Sequence, residues 1–458
     1  MFIRRFYDDR LAQASYLIGC QQTGEAIVID PNRQVDQYRE VAKKEGLRIT
    51  RVTETHIHAD FVSGTRELAA ATGAQILLSG DGGADWQYRF PASDKVELLH
   101  DGDVITLGGV QLDVMHTPGH TPEHLSFVVT DMARSPEPIG LVSGDFVFVG
   151  DVGRPDLLEK VAGAANTQEA GAAALFGSLQ KLAPYPDYMQ VWPGHGAGSA
   201  CGKALGALPA STLGYERRTN WAFKTKDQAV FIASVLDGQP APPSYFAEMK
   251  RVNRDGPAVI GKVALPPALT ALELPNALRD GIVLDLRPAA RFTEAHIPAT
   301  LNIPMGGAFT KWAGWLLKYD RDLYLIADNS DVVLTAVQAL AAIGIDRVRG
   351  SFDTAVITPD TARRGAVGRM ADAAGMHAGG RVIMDVRENN EWAAGHLPFA
   401  EHHVLGTLAA SVEGLDRNTP IALHCQGGSR SAIGASLLGQ LGFTDVVNLV
   451  DGWGAVGG

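Results

Sequence analysis

Three potential metal ligands alternate along one short segment, Thr55-His56-Ile57-His58-Ala59-Asp60-Phe61. Residues 48–53 before it read as a β run, and residues 63–71 after it carry a helical pattern. Ligands at i, i+2 and i+4 on a loop at the end of a strand can turn their donor atoms toward one point. The next position matters as much. A histidine there would offer a second ion another ligand, whereas Phe61 cannot bind a metal. One ion is therefore expected, with a narrower range of chemistry than two.

Three later segments have the same character: His116-Thr117-Pro118-Gly119-His120-Thr121, Ser143-Gly144-Asp145 and Trp192-Pro193-Gly194-His195-Gly196. Each sets a histidine or aspartate just after a β run on a glycine-containing turn, where loops at one sheet edge gather ligands. A single such histidine is most often structural; four ligand-bearing turns in this order are not explained that way. The pattern resembles the metallo-β-lactamase fold superfamily over the whole first domain, and within it the persulfide dioxygenases. That resemblance implies one Fe(II) per chain, held by His56, His120 and Asp145. Two imidazoles and a carboxylate on one face leave open coordination positions, as in non-haem iron oxygenases. A zinc hydrolase would instead use its metal to make hydroxide from water. The resemblance makes His58, Asp60 and His195 groups that orient the ligands. It also gives Arg154, just beyond Asp145, the anionic part of a thiol substrate, with an ion pair as the alternative. Phe61 departs from a family that often keeps a histidine there.

A second reactive group lies far downstream. Cys425-Gln426-Gly427-Gly428-Ser429-Arg430 sits between a buried-strand pattern and a helix. Backbone N–H groups of residues 426–429 and the positive end of the helix favour thiolate and a bound persulfide anion. Gln426, Gly427, Gly428 and Ser429 are thus the candidate substrate cradle, Cys425 the nucleophile, and Arg430 an added charge. The segment resembles a rhodanese active-site loop. A C-x-x-G-x-R loop also suggests a phosphatase, but the shortness of this loop and the upstream Asp385-Val386-Arg387 and Gly395-His396-Leu397-Pro398 favour sulfur. Those upstream segments have earlier copies, Asp285-Leu286-Arg287 and Ala295-His296-Ile297-Pro298, at the same spacing. In the first copy Asp328 aligns with Cys425 and the loop is one residue shorter. A carboxylate cannot carry a persulfide, so this copy is expected to be inactive. Cys20 reads as buried core. Cys201, shortly after His195, is either structural or a sulfur relay close to the metal.

These motifs need α/β layers to position them, and β runs alternate with helices at 35–44 and 164–182. The expected fold class is α/β: a metallo-β-lactamase αββα sandwich followed by two rhodanese-like α/β domains. The expected division is 1–240 for the metal domain, 241–265 for a Pro-rich linker, 266–358 for the inactive rhodanese and 370–458 for the active one. A net charge of −11 argues against a nucleic-acid partner. No apolar run is long enough for a membrane span. Three scattered cysteines and no signal-peptide pattern point to a reducing, cytoplasmic setting.

The combination resembles the fused persulfide dioxygenase–sulfurtransferases of sulfide detoxification. It implies a low-molecular-weight persulfide of glutathione or coenzyme A type and O₂ as substrates, with sulfite and thiosulfate interconverted at Cys425. By resemblance, a homo-oligomer is expected. A glyoxalase II-like thioester hydrolase fused to a rhodanese is the rival enzyme; a sulfur carrier or persulfide sensor is the rival without catalysis.

Overall fold

The computed structural model describes residues 1–90, 94–157, 159 and 167–455. Two compact units divide the chain: Met1–Lys262 with Ala341–Gly344, and Val263–Leu340 with Ile345–Gly458.

Two mixed six-stranded sheets form the first unit. One runs in chain order through Phe2–Asp8, Gln13–Cys20, Glu25–Ile29, Arg48–Thr53, Gln75–Ser79 and Val96–Leu99. The other contains Val104–Leu107, Val110–His116, Leu125–Asp131, Gly140–Gly144, Gln190–Pro193 and Ser211–Thr212. Side chains alternate across a strand, and here both faces of the central strands are buried. Ala14, Tyr16, Ile18, Ile27 and Ile29 of the first sheet meet Leu112, Val114, Phe127, Val129 and Val142 of the second in one core. The intervening Leu17, Ala26 and Val28 face outward, where Tyr38, Ala42 and Leu68 of helices Asp36–Lys44 and Thr65–Thr72 cover them. Val128, Leu141 and Val191 of the second sheet are likewise covered from helices Gln168–Gln180 and Gln228–Leu236. The result is the expected αββα sandwich. The first residues of the expected helix at 164–182 lie outside the described residues.

The stretch 241–265, expected to be a linker, contains the helix Phe246–Asp255, with Phe246, Met249 and Asn253 buried. That helix belongs to the first unit, while residues 263–265 open the second. The prolines around residue 240 mark the entry to this helix rather than a free tether.

The second unit holds two five-stranded sheets of the same strand order, every described pairing in them parallel. The central strands are Gly281–Asp285 and Asp322–Ala327 in the first module, Val382–Asp385 and Ile421–His424 in the second. The edge strand Ala366–Gly368 pairs with Val446–Leu449, so the second module starts a few residues before 370. No helix among the described residues is long and apolar enough to cross a membrane.

The repeated Asp-x-Arg segment does the same physical work in both modules. Arg287 donates from Nη2 to Asp285 (2.6 Å) and to the Ala295 carbonyl (2.9 Å). Arg387 donates from Nη2 to Asp385 (2.6 Å) and to the Gly395 carbonyl (2.7 Å). Each clamp is buried and ties the end of a central strand to the turn that carries the His-(Ile/Leu)-Pro sequence. The motif therefore marks the fold and not the sulfur chemistry. Removing one partner strands a buried charge, at a cost of about 3–5 kcal/mol. Arg287→Ala and Arg387→Ala should each destabilise the second unit by about that amount in denaturant unfolding. Effects within ~0.5 kcal/mol, typical of surface positions, would contradict the clamp.

Candidate metal centre and sulfur-transfer loop

The ligand-bearing turns lie at the ends of strands Arg48–Thr53, Val110–His116, Gly140–Gly144 and Gln190–Pro193. His56, His120 and Asp145 bring one donor atom each within 4.8 Å of one another. Nε2 lies 3.9 Å (His56) and 3.5 Å (His120) from Oδ2 of Asp145. All three side chains are buried.

The hydrogen bonds behind these rings fix their tautomers. Nδ1 of His120 meets the Arg154 carbonyl at 2.9 Å, and Nδ1 of His195 meets the Ala12 carbonyl at 2.9 Å. A carbonyl only accepts, so both rings are protonated at Nδ1 and turn Nε2 inward. For His56 the partner is Oγ1 of Thr55, at 2.9 Å, and that hydroxyl donates to Asp30 at 3.0 Å. With its one proton given to Asp30, Thr55 accepts from Nδ1 of His56. Burial, followed by the neighbouring histidines, holds His56 well below its ordinary pKa. Burial lowers His120 to about 3. Both are neutral donors at physiological pH.

His58 stands apart from this set. Burial opposes its charge, but Asp30, at 3.1 Å from Nε2, with Glu54 and Asp60 lifts its pKa to about 9. Phe61 is fully buried, its ring 4.4 Å from that of His58, centroid to centroid.

A second donor set adjoins the first. Asp60, His195 and Cys201 also bring one donor atom each within 4.8 Å of one another. Nε2 of His195 lies 3.3 Å from Asp60 and 3.5 Å from Oδ1 of Asp145. Phe61 offers no ligand, but Cys201 brings a sulfur beside Asp60 and His195. The expectation that Phe61 alone restricts the site to one ion rested on the linear motif. The Cys201 loop, which no spacing rule joins to residue 61, supplies a further possible donor.

These residues fit a cation. Both carboxylate oxygens of Asp145 and Oδ2 of Asp60 are buried without a hydrogen-bond partner. Burial raises Asp145 to about 6 against the pull of His195. Burial and the Asp145 and Asp60 charges hold the Cys201 thiol well above its ordinary range. Orphaned carboxylates are costly in an apolar interior, and a bound ion removes that cost.

Arg154 does not match its expected role as a contact for substrate. Its side chain is fully buried, with Nε and Nη2 each 2.7 Å from Asp156 and Nη1 donating to the Ala200 carbonyl at 3.1 Å. Its backbone N–H donates to the Cys201 carbonyl, while its own carbonyl holds His120. Arg154 is a brace between one metal-facing histidine and the Cys201 loop.

Several residues outside the expected ligand positions also build the site. Besides Asp30 and Thr55, His124 accepts the Asp145 backbone N–H at 3.0 Å, and Glu123 accepts that of Ile57 at 2.9 Å. Asn253, in the former linker, donates to the carbonyls of His58 (2.8 Å) and Phe61 (2.7 Å). The available signal was a polar residue close to a motif for His124 and an aspartate at the end of an apolar strand for Asp30; Asn253 had none.

In the second unit, Cys425 is buried at the end of strand Ile421–His424. Its sulfur accepts from the Gly428 N–H at 3.1 Å and lies 3.6 Å from Oγ of Ser431. Gly428 holds φ +85°, and a Cβ there would meet the Val450 carbonyl oxygen at 2.0 Å, so glycine is required. Helix Ser429–Gln440 starts directly behind it. Gln426, Gly427 and Ser429 are exposed. Arg430 is not a free charge: both its terminal nitrogens bond Glu391, at 2.5 and 2.6 Å. A cavity of about 530 Å³ reaches from Gly427, Gly428 and Ser429 to Ala289, Thr293 and Arg364.

Sheet register corrects one alignment. Asp285 pairs with Ile326 in the first module, as Asp385 pairs with His424 in the second. The counterpart of Cys425 is therefore Ala327, and Asp328 is exposed and ion-paired with Arg291 at 2.7 Å. The loop is one residue shorter, because two residues separate Ala327 from helix Ser330–Ala342 whereas three separate Cys425 from the helix that starts at Ser429. The first copy lacks a sulfur nucleophile because it has alanine there, not because it has a carboxylate.

A family model of the metallo-beta-lactamase superfamily matches residues 8–195, and one of the rhodanese-like domain matches residues 370–457. A hydroxyacylglutathione hydrolase of Polaromonas sp. is 34% identical over 184 residues, 40% of this chain and 61% of that protein. The chain thus spans about three fifths of such relatives' length. The mitochondrial persulfide dioxygenase ETHE1 of Bos taurus is 28% identical over 200 residues, 43% of this chain and 68% of that protein. A solved metallo-beta-lactamase structure from Staphylococcus aureus subsp. aureus COL is 43% identical, with a TM-score of 0.69, covering 77% of this chain and 99% of that one. On that likeness and on the gathered ligand turns, the chain belongs to the metallo-beta-lactamase superfamily and carries a rhodanese-like domain over residues 370–457.

Proposed function

We propose that this chain is a persulfide dioxygenase joined to a sulfurtransferase. One observation carries the reading. Two neutral imidazoles and one orphaned carboxylate face a common point in the same chain as a buried, N–H-bonded cysteine at a helix start. The proposed substrates are O₂ and the persulfide of a low-molecular-weight thiol of glutathione or coenzyme A type. One persulfide, one O₂ and one water give one thiol, one sulfite and two protons. An Fe(II) ion, when bound, supplies open coordination positions and redox chemistry with O₂ that no side chain here offers.

The protein's own residues hold that centre. Nδ1 of His56 and Nδ1 of His120 keep their protons, so each Nε2 is a neutral donor. Asp30 acts through Thr55 and also pins His58. Burial of His56, His120 and Asp145 limits water at the reacting centre. In the second unit, the Cys425 thiolate takes the outer sulfur of a second low-molecular-weight persulfide, whose thiol leaves; sulfite then attacks the outer sulfur of the Cys425 persulfide, the S–S bond breaks, thiosulfate leaves, and the thiolate returns to the Gly428 N–H. The reverse direction, in which Cys425 cleaves thiosulfate, uses the same contacts.

Thioester hydrolysis is the second reading. The Asp60–His195–Cys201 set and the hydroxyacylglutathione hydrolase relatives favour it. Iron-loaded protein given glutathione persulfide should take up O₂ and bind one iron per chain. Two zinc ions per chain with thioester turnover and no O₂ uptake would favour the hydrolase. Metal binding without either turnover would favour a carrier or sensor. Cys425→Ser should keep O₂ uptake and accumulate sulfite in place of thiosulfate; an unchanged thiosulfate yield refutes the role of Cys425. Thr55→Val, which removes the oxygen behind His56, should weaken metal affinity about 10–100-fold in a chelator competition. Unchanged affinity would refute the relay from Asp30.

A further inference from the structure

Within the second unit, helix Ala289–Glu294 of the first module and the sulfur-transfer loop of the second face one cavity of about 530 Å³. Gly427, Gly428 and Ser429 form one end of it, and Gly428 is the residue whose N–H holds the Cys425 sulfur. Thr293 and Glu294 line it from the helix, and Arg364 from the segment that joins the modules. A second cavity, of about 550 Å³, shares Thr293, Arg364 and Asn448 with the first and continues beside helix Ser429–Gln440 to Phe443. Volumes of this size are typical of small-molecule sites.

The polar groups around this cavity are held in place but not satisfied by the protein. Arg363 and His296 exchange backbone hydrogen bonds at 2.8 and 2.9 Å, and the Gly365 N–H donates to the Thr293 carbonyl at 2.8 Å. These bonds lay residues 363–365 along the first module and fix the backbone of Arg364 at the cavity. Its guanidinium nevertheless has no hydrogen bond or ion pair among the described residues, and neither has the Glu294 carboxylate. Arg430, the other cation of the loop, is taken by Glu391. Asn448 lines both cavities with a side chain only 6% exposed. Its Nδ2 lies 3.5 Å from the Gly428 carbonyl, while its Oδ1 is buried without a partner among the described residues. A buried acceptor without a donor is costly, and an N–H from a ligand removes that cost.

We propose that this cavity binds the amino-acid end of a peptide-thiol persulfide, the sulfur donor to Cys425. Arg364 takes its carboxylate, Glu294 its ammonium, and Oδ1 of Asn448 one of its N–H groups. The assignment rests on the sulfurtransferase half of the proposed function. A guanidinium, a carboxylate and a buried acceptor together match a zwitterion with amide N–H groups. The phosphates of a nucleotide thiol would meet the Glu294 carboxylate, which repels them. At the loop the outer sulfur of the donor passes to the Cys425 thiolate, the donor's S–S bond breaks, and its thiol leaves with the donor's proton. The first module, which has no sulfur nucleophile of its own, thus holds the donor for the second.

The test measures thiosulfate made from added sulfite by the full chain without O₂, so that oxidation at the metal centre does not contribute. Donors are the persulfides of glutathione, of 3-mercaptopropionate (carboxylate only), of cysteamine (ammonium only), of coenzyme A and of neutral 2-mercaptoethanol. A hydrogen bond to a charged group carries about tenfold or more in affinity. The ratio of kcat/KM for a donor over the neutral persulfide is the readout. In Arg364→Met it should fall about tenfold for glutathione and 3-mercaptopropionate but not for cysteamine, and it should recover in Arg364→Lys. In Glu294→Gln it should fall for glutathione and cysteamine but not for 3-mercaptopropionate. Ratios unmoved by either variant, or falls that ignore the donor's charge, would overturn the proposal. So would a wild-type preference for coenzyme A persulfide that Glu294→Gln strengthens, which identifies a nucleotide thiol instead. Calorimetric binding of S-methylglutathione, which carries no reactive sulfur, separates the site from the activity. Weaker binding in Arg364→Met, with no thiosulfate from any donor in wild type, keeps the site and removes the sulfurtransferase. Unchanged binding in both Arg364→Met and Glu294→Gln removes the site whatever the thiosulfate yield.

Discussion

Asp30 is a buried carboxylate, and a carboxylate without water is tolerated only when donors or opposite charge replace it. It adopts φ +54°, a left-handed backbone that aspartate accepts more readily than most residues. That bend turns its side chain across the end of the neighbouring strand. One oxygen takes the Thr55 N–H at 2.6 Å and faces Nε2 of His58; the other takes the Thr55 hydroxyl. The orientation of His56, the charge of His58 and the path of the metal loop all follow from satisfying this one group. Asn253 and Glu123 hold the same loop from its other side, through backbone groups at 57, 58 and 61.

The second unit obeys the same rule with a different answer. Asp285 and Asp385 meet arginines two residues on, and the Nη2 that bonds the aspartate also closes a turn. Because the clamp is shared by a module with a cysteine and one without, its presence tells nothing about chemistry. What separates the modules is local: alanine or cysteine at the strand end, and the length of the turn that follows.

Legibility in the sequence tracked distance along the chain. The αββα layers were readable because burial on both faces leaves near-continuous apolar runs, and the four ligand turns because each is a short local pattern. Asn253 was not readable, since it acts on residues 195 and 192 positions away, and a Pro-rich approach disguised its helix as a tether. Arg154 was legible as important but not in its use, because nothing local shows that Asp156 and the Ala200 carbonyl take up its donors. Asp328 was matched to Cys425 for a related reason. Strand register depends on the partner strand, and one position of slip exchanges alanine for aspartate.

The shorter turn after Ala327 has a consequence for how reversible the loss of sulfur chemistry is. In the second module Gly428, at φ +85°, turns its N–H onto the Cys425 sulfur just before the helix begins. In the first, Asn329 stands before the helix and its side-chain oxygen accepts the Asp331 and Val332 N–H groups. A cysteine at 327 would meet a helix start whose N–H groups are already taken. Restoring sulfur chemistry there is a change of turn as well as of residue.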